Sequence, residues 1–99
     1  MDTRPRLVAI GTSTHRAFRC PCGETHTVDV GPGGWGFNGD LVRPTLTPSV
    51  LAQGVNRDGE PVPYRCHSYV TDGRIQFLGD CSHALAGQTL DLPPVDFEP

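Results

Sequence analysis

Residues 64–81 read YRCHSYVTDGRIQFLGDC, and this stretch decides the fold. Tyr64 to Val70 reads as a strand, Thr71-Asp72-Gly73-Arg74 is an Asp-Gly hairpin signal, and Ile75 to Gly79 is the returning strand. If Asp72-Gly73 forms the two-residue turn, Thr71 pairs with Arg74, His67 falls opposite Leu78 and Cys66 falls opposite Gly79. Side chains alternate between the faces of a strand, so Cys66 and Cys81 share one face as diagonal neighbours. His67 and Asp80 then share the other face.

Working outward, Thr45 to Gln53 reads as the preceding strand of a three-stranded meander, joined through the turn Asn56-Arg57-Asp58-Gly59. Pro44 and Pro48 make it an edge strand or one that carries a bulge. Further upstream lie short strands from Arg6 to Ile10, through Ala17 and Phe18, and from Thr25 to Val30; the last two flank the knuckle Cys20-Pro21-Cys22-Gly23. Gly31-Pro32-Gly33-Gly34 breaks regular structure, and Trp35, Phe37 and Asn38 follow in a loop. Downstream, Ser82 to Ala86 fits one helical turn ended by Gly87, and Leu92-Pro93-Pro94-Val95 is extended.

The expected fold is all-β: one small antiparallel domain over residues 1–99, a meander or barrel-like sheet with a zinc knuckle, at most one short helix and an extended tail at 93–99. The composition agrees, with 99 residues, 12 glycines and 10 prolines giving a turn-dense chain whose core is too small for two domains. A formal net charge of −3 with scattered basic residues argues against nucleic acid as a partner. No apolar run approaches the roughly 18 residues of a membrane span, and the N-terminus has no secretory apolar region. The expected location is the cytoplasm, where thiols stay reduced and four cysteines read as metal ligands.

Cys20 and Cys22 on the knuckle, with Cys66 and Cys81 on the hairpin, supply four thiolates for a closed tetrahedral zinc site of the structural kind. The competing reading is two disulfides or buried thiols, and His26 and His83 are substitute ligands should one cysteine point away. On the opposite face, His67 with Asp80 matches a general base and its orienting carboxylate. The preceding hairpin places Ser49 within about one residue of the position opposite His67, which makes Ser49, His67 and Asp80 a candidate catalytic triad. A one-residue slip would turn Ser49 to the wrong face. Hydrogen-bonded surface residues are the plainer alternative, and an ion pair between Arg65 and Asp80 would take Asp80 out of the triad. Trp35, Phe37 and Tyr69 read as core or pocket-lining groups.

The segments 20–23, 34–40, 44–50 and 66–87 together resemble a domain-of-unknown-function family common in tailed phages and prophages. Its members often carry the label "ammonia monooxygenase", although nothing in this sequence resembles a copper or membrane oxygenase. A more distant branch lies in bacterial operons for ubiquitin-like conjugation, where its members are regarded as small serine peptidases. That branch looks similar at Cys20 to Gly23, at Pro48-Ser49-Val50 and at His67. The resemblance implies a zinc-stabilised serine peptidase with Ser49 as nucleophile and His67 as base, acting on a ubiquitin-like protein's tail or on a phage or host polypeptide. Asp80 as the acid is inferred mainly from the hairpin geometry. The rival class is a non-enzymatic phage accessory or host-interaction module on the same zinc scaffold.

Overall fold

A computed structural model describes residues 3–55 and 61–95. The chain forms β1 (Val8–Ala9), β2 (His15–Arg19), β3 (Thr25–Asp29), β4 (Gly36–Phe37), β5 (Leu46–Val55), β6 (Pro61–Thr71), β7 (Arg74–Phe77) and β8 (Thr89–Asp91). They build two antiparallel sheets, one ordered β1-β2-β3 and the other β4-β5-β6-β7-β8. The fold is all-β, with no helix among the described residues and no closed barrel. No described helix is long and apolar enough to cross a membrane.

The Asp-Gly turn and its register stand as read, but β7 ends at Phe77, two residues short of the expected Gly79, and Gly79 and Asp80 lie in a turn. Thr71 pairs with Arg74 and Ser68 with Phe77, and the Leu78 amide donates to the His67 carbonyl at 2.9 Å. Asp72 and Gly73 both adopt positive φ, 52° and 79°, the left-handed pair that a tight hairpin turn of matching twist requires. The expected turn at Asn56 to Gly59 lies outside the described residues.

Three features go beyond the sequence reading. Residues 81–87 make turns instead of a helical turn, with Ala86 N donating to His83 O and Gln88 N to Leu85 O. Leu90 pairs with Ile75, so a short β8 extends the meander on one side. On the other side Gly36-Phe37 pairs with Leu46 and Thr47, so the two residues after Trp35 become edge strand β4, and β5 is an interior strand.

Alternation sets the core. Leu46, Val50, Cys66, Val70, Ile75 and Phe77 from the larger sheet meet Leu7, Phe18, Cys20 and Val28 from the smaller, with Leu92 closing the layer. The opposite face of the larger sheet is turned to solvent, and the candidate residues lie on it.

Candidate active site and metal-ligand cluster

β6 carries Cys66, Ser68 and Val70 inward and Arg65, His67 and Tyr69 outward, as the period of two requires. Leu51, not Ser49, stands opposite His67, and Ser49 is two residues away. Two register shifts bracket this stretch, each with an excess of two: from Val55↔Pro61 to Gln53↔Arg65 β6 spends four residues where β5 spends two, and from Val50↔Ser68 to Leu46↔Val70 β5 spends four where β6 spends two. The excess of two is even, so the face is kept; Leu46 and Val50 are both buried, and Ser49 remains on the His67 side.

The three side chains meet there. The Ser49 hydroxyl lies 2.9 Å from His67 Nε2, and His67 Nδ1 lies 3.1 and 3.3 Å from the two Asp80 oxygens. With Nδ1–H donating to Asp80, Nε2 is left to accept the Ser49 proton. Asp80 serves both of its expected partners, because its Oδ2 also accepts from Arg65 Nη1 at 3.4 Å. The hydrogen bond to His67 holds the Asp80 carboxyl below the usual aspartate range, and burial opposes this.

Residues 81 and 82 grip β6 through both side-chain and backbone bonds. The Cys81 thiol accepts from the His67 amide and donates to the His67 carbonyl, both at 3.2 Å. Ser82 accepts the Arg65 amide at 2.8 Å through its hydroxyl and donates its own amide to Arg65 O at 2.9 Å. Trp35, half-buried, donates its indole N–H to the Ser49 carbonyl at 3.2 Å and fixes the peptide after the serine. That contact had no signal in the spacing of residues, since it spans a loop.

Behind β6, Cys20, Cys22, His26 and Cys66 bring one donor atom each within 4.8 Å of one another and can hold a metal ion. Cys20 Sγ is 3.7 Å from Cys66 Sγ, and Cys22 Sγ is 3.6 Å from His26 Nε2. Ligands around a tetrahedral zinc stand roughly 3.5–3.8 Å apart, and these two donor pairs match that spacing. Cys81, expected in this set, groups instead with Cys66 and His83. Its thiol is engaged with the His67 backbone, and burial pushes it up from the ordinary range. His83 Nδ1 accepts from the Leu85 amide at 3.2 Å, so the neutral ring carries its proton on Nε2, where a ligand needs a lone pair. The group with His26 brings four donors together and the group with His83 three.

The electrostatics centre on Cys66. Its thiol is pulled down to about 3 by hydrogen bonding from Cys20, helped by the imidazoles of His26 and His83, while burial opposes. Cys20 is pushed the other way by the same bond and by burial. Tyr64 Oη lies 3.1 Å from Cys22 Sγ, and burial followed by that sulfur raises its phenol, so the hydroxyl stays a donor to the cluster.

Comparison with known families adds one decisive finding: a family model described as bacterial ubiquitination-like system serine protease (BubE) matches residues 2–78. The chain belongs to the BubE family. No curated protein and no solved structure matches it. The BubE match spans Cys20, Cys22, His26, Ser49, Cys66 and His67, and ends before Asp80. A protease of a ubiquitination-like system implies protein substrates.

Proposed function

We propose that this chain is a serine peptidase cleaving peptide or isopeptide bonds of a ubiquitin-like protein, with Ser49 as nucleophile, His67 as base and then acid, and Asp80 as the carboxylate that orients His67. The observation that carries the reading is the 2.9 Å contact between Ser49 Oγ and His67 Nε2. Ser49 Oγ attacks the scissile carbonyl while His67 Nε2 takes its proton; the same proton passes to the leaving amine as the acyl-enzyme forms. Water then attacks the acyl group, gives its proton to His67, and Ser49 is released with its proton restored. Throughout, Asp80 holds Nδ1–H and stabilises the imidazolium.

Cys20, Cys22, His26 and Cys66 hold a structural zinc in this reading. The ion ties the β2–β3 turn to β6, the strand that carries His67, and takes no part in bond cleavage.

The test is a fluorophosphonate probe on the purified chain. Labelling is expected in the parent protein and absent from Ser49→Ala and His67→Ala. A folded parent protein that takes no label refutes the proposal.

A further inference from the structure

The outward face of β5, β6 and β7 presents Ser49, Leu51, Gln53, Arg65, His67, Tyr69, Thr71, Arg74 and Gln76, and all but two are polar. The exceptions are Leu51, 49% exposed, and Tyr69, 45% exposed. Single exposed apolar side chains are common, and Ile10 and Leu41 are exposed elsewhere; what marks Leu51 and Tyr69 is where they stand.

Their places are specific. Leu51 stands directly opposite His67 and two residues along β5 from Ser49; Tyr69 stands two residues along β6 from His67, on the side toward which Ser49 lies. The four side chains make a patch in which Ser49 and His67 occupy one diagonal and Leu51 and Tyr69 the other. An apolar group therefore flanks the reacting pair on each side, roughly 7 Å along the strand from its catalytic neighbour. β5 and β6 are both interior strands, so an added edge strand cannot cover these residues. Only a chain lying across the face can.

Among the described residues the nearest charges are already matched, since Arg65 and Asp80 face each other at 3.4 Å. A charged substrate side chain would find no free counter-ion between them, whereas an aliphatic one would find Leu51 and the Tyr69 ring.

We propose that Leu51 and Tyr69 are specificity-determining residues that take aliphatic side chains of the substrate next to the scissile bond. The inference rests on the serine-peptidase reading, and it names the chemistry that this site prefers.

The experiment measures kcat/KM of the full chain on p-nitrophenyl acetate, hexanoate and mono-succinate, beside fluorophosphonate labelling of Ser49. Hexanoate is expected to exceed acetate by about tenfold or more, and mono-succinate to be the poorest. Leu51→Ser and Tyr69→Ser should shrink the hexanoate-to-acetate ratio toward that of the uncatalysed esters, and Tyr69→Phe should keep it. Equal turnover of the three esters by a protein that labels overturns the inference and leaves the serine nucleophile standing. Variants that keep the parent ratio also overturn it. Absence of labelling in the parent protein removes the catalytic reading itself, and this inference with it.

Discussion

Asp80 divides one carboxylate between an imidazole at 3.1 Å and a guanidinium at 3.4 Å, and the two contacts differ in what they do. The first fixes which ring nitrogen of His67 carries the proton; the second is an exposed ion pair of small energetic weight. Asp80→Asn is expected to lower kcat by about 10²–10⁴-fold, because the amide can present a donor to Nδ1 and favour the wrong tautomer. Arg65→Ala should cost less than about fivefold. Steady-state hydrolysis of one ester by both variants measures the contrast, and equal losses would remove Asp80 from its orienting role. At this scale much was legible from sequence: the period of two on a single hairpin separates Cys66 from His67 and places Asp80 beside the histidine. His26 was legible only as a substitute ligand beside His83, because thiol and imidazole donors are interchangeable to zinc and only the third dimension shows which of them converge.

Among the elements, the loop between β3 and β4 sets the indole that pins the Ser49 carbonyl. Gly34 sits there because a Cβ would run into the Asp29 carbonyl, a backbone atom that cannot yield. Gly34→Ala is expected to destabilise by about 1–3 kcal/mol and to slow labelling of Ser49 as Trp35 shifts, both readable from thermal melts and probe kinetics. The next loop is held by Asp40, whose carboxylate accepts the amides of Arg43 at 3.0 Å and Val42 at 2.9 Å and is thereby held below the ordinary 3.8. A depressed carboxyl contributes stability above its unfolded value and loses it as pH falls through the folded one. Melts from about pH 5 down to about pH 2 should therefore fall less steeply in Asp40→Asn than in the parent protein. The bulge in β5 escaped the sequence reading in its size, since prolines announce a disturbance without fixing its length. The strand β8 escaped because three residues before a diproline carry too little pattern to separate strand from tail.

Across the whole molecule, the two sheets share a small core, and the cluster of Cys20, Cys22, His26 and Cys66 joins the smaller sheet's turn to the larger sheet's central strand. Ligand binding of this kind is folding free energy, so stripping zinc with a strong chelator should lower Tm by about 10 °C or more, restored on readdition. A melting temperature indifferent to chelator, in protein shown to have carried zinc, would contradict a structural role for the ion. That a knuckle and a hairpin would meet was legible from the cysteines; that they meet between two sheets was not, because sheet partition depends on which edges the loops at 31–35 and 38–45 leave free. The alternation along β6 has one more consequence, in the currency of descent. Inward residues answer to the core and the ligand cluster, outward ones, on the proposed reading, to whatever is cleaved, and neighbours in the chain belong to different constraints. Lineages can therefore retune Leu51 and Tyr69 toward a new target while the inward face of the same strands stays untouched.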